Sequence, residues 1–186
     1  MMATMRIRPM IGMGIAAAFG SVLVQGCHRS SRGEEPTTSI ASADSIVLER
    51  TLCYGTCPAY RLRLTGSGAV AFESLNPGDS GRVASDRVTP AVVAGLLAEA
   101  DKLGFDTLPE IIAKDRRFCP DNATDHPTVT VTVFRGGAIK RVEDYLGCFA
   151  RSDHSVTQLV ARLRAFEKSI DSTAGSARWV RPARGR

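Results

Sequence analysis

Four cysteines, Cys53, Cys57, Cys119 and Cys148, constrain this chain more than any other feature, because its fold must either bring them together in pairs or commit them to chemistry. Three connectivities are open to them. Cys53 and Cys57 flank a Tyr-Gly-Thr turn closed by Pro58, in the stretch CYGTCPAY. Gly55 is free to take the positive φ that brings the two α-carbons within the roughly 4.4–6.8 Å a disulfide spans. The favoured pairing is therefore Cys53 with Cys57, which leaves Cys119 to join Cys148. The chain-entropy view gives the longer closure, of about thirty residues, about 3.5 kcal/mol of stability and the short clip about 2. Competing uses of these cysteines fit less well. A thioredoxin-like redox motif has two residues between its cysteines and opens a helix whose N-terminus lowers the thiol pKa; here three intervene and a strand pattern follows. A zinc ribbon needs two closely spaced pairs, and Cys119 lies far from Cys148. The reading is a structural clip with no metal and no cofactor. Its alternative is a thiol-disulfide redox enzyme using Cys53 and Cys57.

A fifth cysteine, Cys27, makes the count odd, which in a secreted protein calls for an explanation. It follows an uncharged apolar run, Met10 to Val24, preceded by Arg6 and Arg8. That run is shorter than the roughly twenty residues needed to span a bilayer and has the form of a secretory signal. The tetrad Val24-Gln25-Gly26-Cys27 resembles the bacterial lipobox, where the signal is cut before the cysteine and the new N-terminal residue is acylated. The resemblance implies a signal peptide over residues 1–26, lipidation at Cys27 and a membrane partner reached through the lipid. More than one acyl chain gives a stable anchor. Residues 27–45, rich in Ser, Thr, Glu and Gly, carry too little apolar surface to fold and read as a flexible tether. His28, and not Asp, follows the anchor, so the same resemblance implies the outer membrane, facing the periplasm.

The formal net charge of +5 raises the question of a nucleic-acid partner. Between Ile46 and Asp171, however, sixteen Lys and Arg balance sixteen Asp and Glu. The excess lies in arginines near the two ends, among them Arg29, Arg32, Arg184 and Arg186. Nucleic-acid readers concentrate positive charge on a folded face, so no nucleic-acid partner is expected.

Hydrophobic periodicity places a single domain over residues 46–171. Ser45 to Leu52 reads as a strand. Tyr60, Leu62 and Leu64 alternate with Arg61, Arg63 and Thr65, and after Gly66-Ser67-Gly68 the alternation resumes at Val70 and Phe72, which makes a half-buried hairpin. Arg82 to Val88 forms a weaker fourth strand after the NPGDSG turn. Thr89 and Pro90 then open a helix with Val92, Val93, Leu96, Leu97 and Leu103 on one face, and Gly104 ends it. An irregular stretch to His126, with Leu108, Ile111 and Ile112 turned inward, has a length that calls for a staple, which Cys119 supplies. Val129, Val131 and Val133 define a further strand, which returns over Ala138 to Leu146. Ser155 and Gln158 have the spacing of a capping box, and Val156, Leu159, Val160, Leu163, Phe166 and Ile170 follow as a helical stripe. Tight hairpins without βαβ alternation predict an α+β fold, an antiparallel sheet with two helices packed on one face as a two-layer sandwich. Residues 172–186 form a basic C-terminal tail; its Arg178-Trp179-Val180 either packs back on the domain or stays in a disordered end.

The residues RTLCYGTCPAYRLRLTGSGAVAFE, TDHPTVTVTV and GGAIKRVEDYLGC together resemble the bacterial family called domain of unknown function 6438. The shared features are Cys53, Gly55, Cys57, Pro58 and Tyr60, the Gly-led hairpin, Asp125 and Pro127 before a strand, and Lys140 followed by Tyr145. The resemblance implies export and brings no catalytic residue with it. Catalytic motifs are absent from the chain: there is no Gly-x-Ser-x-Gly elbow, no His-Glu-x-x-His and no phosphate loop. Asp121, Asp125 and His126 are of the types that build a hard-metal or acid-base site, but at a loop-strand junction such residues serve turns and caps more often. Tyr54 and Thr56, at the tip of the clipped turn, together with Asp125, are the candidate binding residues. The sequence thus reads as a lipid-anchored envelope protein whose domain binds an unidentified envelope protein or ligand, or plays a structural part, with enzymatic activity less favoured.

Overall fold

The computed structural model of the chain describes residues 43–149 and 154–181. The expected signal peptide, Cys27, nearly all of the expected tether and the last five residues lie outside them. Among the described residues eight strands and two α-helices follow one another: β1 (Ser45–Arg50), β2 (Tyr60–Thr65), β3 (Ala69–Ser74), β4 (Val83–Arg87), α1 (Pro90–Leu103), β5 (Asp121–Asn122), β6 (Thr128–Arg135), β7 (Ala138–Tyr145), β8 (Cys148–Phe149) and α2 (His154–Ala174). Six strands make one antiparallel sheet in the order β4-β3-β2-β1-β6-β7, and β5 with β8 makes a two-stranded ribbon. The predicted α+β sandwich is the fold observed.

Strand alternation decides which face is buried. Ile46 and Leu48 of β1 stand opposite Leu64 and Leu62 of β2 on one side and Val133 and Val131 of β6 on the other. Val70 and Phe72 extend the same face through β3. Arg61, Arg63, Ala71 and Arg141, at the intervening positions, face solvent. Both helices supply the second layer: Val93, Leu96, Leu97, Ala100 and Leu103 of α1 and Val160, Leu163, Phe166, Ile170 and Ala174 of α2 join the inward strand residues in one continuous core. Phe105 meets Phe166 edge to face, with ring centroids 5.9 Å apart, so the turn after α1 is packed against α2.

Several local readings shift. Val92, expected on the buried face of α1, is instead exposed. The buried positions run 93, 96, 97, 100 and 103, and residue 92 falls off that arc; Ala100 takes the place instead. Gly104 ends α1 in the left-handed conformation, at φ 74°, and its N–H donates to the carbonyls of Ala100 and Asp101. α2 begins at His154, so Ser155 lies within its first turn. In the irregular stretch Leu108 and Ile112 are buried, whereas Ile111 forms a parallel bridge to Glu143. The Glu143 N–H donates to the Glu110 carbonyl at 2.8 Å, which covers part of the outer edge of β7.

At the C-terminal end α2 runs past Asp171 to Ala174, and a 3-10 turn over Ser176–Arg178 leads the chain back along β3 and β4. Trp179 packs against Phe72 with centroids 5.6 Å apart. Arg82 Nη2 donates to the Trp179 carbonyl at 2.5 Å, and Arg178 pairs with Asp86 at 2.7 Å. Of the two arrangements open for Arg178-Trp179-Val180, the chain takes the packed one.

Candidate functional site

The structure joins Cys53 to Cys57 and Cys119 to Cys148, with α-carbons 5.5 and 5.0 Å apart. Gly55 adopts φ 147°, which lets the short loop turn within three residues. The longer bridge lies beside the β5–β8 ribbon, where Asn122 pairs with Cys148. Both staples serve loops at the end of the sheet marked by Arg50, Tyr60 and Tyr145.

These loops are tied to each other. The Tyr54 N–H donates to the Asp125 carbonyl at 3.1 Å, and the Thr51 N–H donates to the Thr128 carbonyl at 3.0 Å. Asp125 has φ 68°, the one positive φ outside glycine among the described residues. Tyr145 fixes that loop from below: its hydroxyl donates to the Ala123 carbonyl at 2.7 Å and accepts the His126 N–H at 3.2 Å. Gly147 is required here, since a Cβ at that position would lie 2.4 Å from the Ala123 oxygen. The His126 ring stands edge-on to Tyr145 and to Phe149. Tyr54 is 89% exposed and Phe149 47% exposed, on a frame held by disulfides and backbone bonds.

The structure therefore brings Tyr54 and Asp125 together, with Thr56 exposed in the same short loop. It adds Phe149, which sequence reasoning did not single out, and His126, which the sequence grouped with Asp121 and Asp125 but not with Tyr54. Asp121, Asp125 and His126 are all exposed, and the described residues contain no group of three or more His, Cys, Asp or Glu positioned to hold a metal ion. His154 opens α2, while His28 and Cys27 lie outside the described residues. No helix among the described residues is long and apolar enough to cross a membrane.

Behind this surface, the helix-facing side of the sheet becomes polar. One cross-strand row runs Ser74, Tyr60, Arg50, Val129, Asp144. α2 lays Arg164, Glu167 and Asp171 against it. Arg50 donates from Nε and Nη2 to Asp171 Oδ2 at 3.0 and 2.7 Å. The Tyr60 hydroxyl and the Ser176 hydroxyl donate to Asp171 Oδ1 at 2.7 and 2.8 Å. Arg164 Nε donates to Asp144 Oδ2 at 2.8 Å, and the Asp144 side chain is fully buried. Burial, and then the Asp171 charge that its hydroxyl faces, push the Tyr60 phenol above its ordinary range. Burial, followed by the neighbouring Asp144 charge, pushes the Glu167 carboxyl up to about 8.

Sequence reasoning missed this cluster. The available signal was in the phase of the charges: Arg50 follows Ile46 and Leu48 at the inward parity, Asp144 follows Val142 in the same way, and Glu167 and Asp171 each adjoin a buried residue of the α2 stripe.

No curated protein matches the chain. The model of one protein family, described as Domain of unknown function (DUF6438), matches residues 44–172, the span of both disulfides, the sheet, α1 and all but the last two residues of α2, and the chain belongs to that family.

Proposed function

We propose that the chain is an exported cell-envelope protein, anchored by lipid at Cys27 in the outer membrane and facing the periplasm, whose α+β domain binds an envelope protein or ligand and catalyses no reaction. The observation that carries this reading is the cysteine distribution. Both cysteine pairs of the domain are joined, as suits an oxidising compartment, and Cys27 stands as the unmatched cysteine behind an apolar leader. Its binding surface is the stapled end with Tyr54, Thr56 and Asp125, where exposed rings on a rigid frame lose little conformational entropy when they are covered.

Cys27→Ser tests the anchor in a bacterial host. The wild-type chain should partition with membranes and carry a diacylglyceryl mass on a peptide beginning at Cys27. The variant should lose that mass and leave the detergent phase. An unacylated wild-type Cys27 overturns the proposal. The competing thiol-disulfide enzyme is tested on the same protein by alkylation and mass spectrometry under mild reductant. A structural clip keeps Cys53 and Cys57 blocked, whereas a redox pair opens at potentials near those of periplasmic oxidants while the fold persists.

A further inference from the structure

The seam between α2 and the sheet holds three carboxyl groups and two guanidinium groups. Asp171 is matched by Arg50 and Asp144 by Arg164. Glu167 has neither an ion pair nor a side-chain hydrogen bond among the described residues, and with 3% of it exposed its carboxyl keeps only a slight contact with solvent. A buried carboxylate with no ion pair of its own is expensive, and two neighbouring carboxylates raise that cost beyond what the two guanidinium groups, each already paired, offset. The carboxyl escapes it by keeping its proton.

We propose that Glu167 is a proton-binding site built into the helix–sheet seam, whose loss of the proton loosens α2 and the Ser176–Val180 segment that α2 carries. Every charged group in this seam enters the balance. Asp144 on β7 and Asp171 on α2 disfavour the ionised form, while Arg50 on β1 and Arg164 on α2 favour it. Tyr60 on β2 and Ser176 after α2 act through Asp171, whose Oδ1 both of them occupy. With the proton in place the cluster is neutral, two guanidinium groups against two carboxylates. Without it a third negative charge is enclosed, one helical turn from Asp171, which anchors both the helix and the segment beyond it.

Burial and the adjacent Asp144 hold this acid up to about 8, against an ordinary 4.5 in the unfolded chain. The sign follows from linkage. The folded state binds the extra proton, so the stabilising contribution is complete below about pH 4.5, declines as pH rises through the window, and is gone above about pH 8.

Glu167→Gln keeps the shape and fixes the side chain as neutral. Urea unfolding of both proteins, with disulfides intact, should give similar midpoints near pH 4.5. Between there and pH 8 the wild-type unfolding constant should rise relative to that of the variant by about tenfold for each pH unit. Parallel pH profiles overturn the proposal. A direct measurement on the wild-type protein decides the matter even if the variant fails to fold. The carbon-13 resonance of the Glu167 carboxyl should titrate near pH 8, with amide exchange along α2 quickening above that point; a midpoint in the ordinary carboxylate range overturns the proposal.

Discussion

Asp171 receives more hydrogen bonds than any other carboxylate in the seam, and its two oxygens divide the work. Oδ2 accepts both Arg50 bonds, and Oδ1 accepts the hydroxyls of Tyr60 and Ser176. Removing the acceptor and removing one donor should therefore cost very different amounts. Asp171→Ala leaves a half-buried guanidinium and two hydroxyls unmatched, and a loss of about 2–4 kcal/mol is expected, near the low end because Arg50 keeps some contact with solvent. Tyr60→Phe keeps the ring against Phe72, 5.7 Å away, and deletes one donor to a charged group, for a loss of about 1–2 kcal/mol. Denaturant midpoints at constant pH give both values; equal losses would mean that the Arg50 pair contributes little. Periodicity placed Arg50 and Asp144 at inward positions but did not name their partners. A charged residue at an inward position reads simply as the place where the hydrophobic pattern ends, and the partner that explains Arg50 is 121 residues away in sequence.

Among the elements, the long irregular stretch between α1 and β6 depends most on its staple. It holds two 3-10 turns and one half of a two-residue ribbon, and Cys119–Cys148 closes it against β8. Replacing both of these cysteines by Ser should cost about 3.5 kcal/mol, while replacing Cys53 and Cys57 should cost about 2, because the longer closure removes more freedom from the unfolded chain. Paired thermal melts of the two double variants check the order. A larger loss from the short clip would show that the Tyr54–Asp125 tie matters more than chain entropy. Here the sequence was informative to different degrees. β2, β3 and β6 alternate over six to eight residues and declare their buried side. β5 and β8 have two residues each, too few to carry a period, so that ribbon became visible only through its pairing.

At the scale of the whole molecule, chain connectivity should make unfolding a single event. β1 lies near the middle of the sheet and joins β2, the start of the β2–β3–β4 run, to β6, the start of the late hairpin. Neither half completes the sheet alone, and both helices draw on the same core. Two spectroscopic signals report on distant parts. Trp179 is the only tryptophan and lies on Phe72 of β3, so its fluorescence follows the C-terminal segment; far-ultraviolet dichroism follows α1 and α2. Phe166 links α2 to the turn after α1 through Phe105 and is fully buried, so Phe166→Ala should cost about 3–5 kcal/mol. If the described domain is one cooperative unit, the fluorescence and dichroism transitions of the wild-type protein superimpose in urea, and the substitution moves both by the same amount. A dichroism midpoint that falls while Trp179 keeps its wild-type transition would instead assign the helical layer and the β3–β4 edge to separate units, and the continuous core would have to be divided between them.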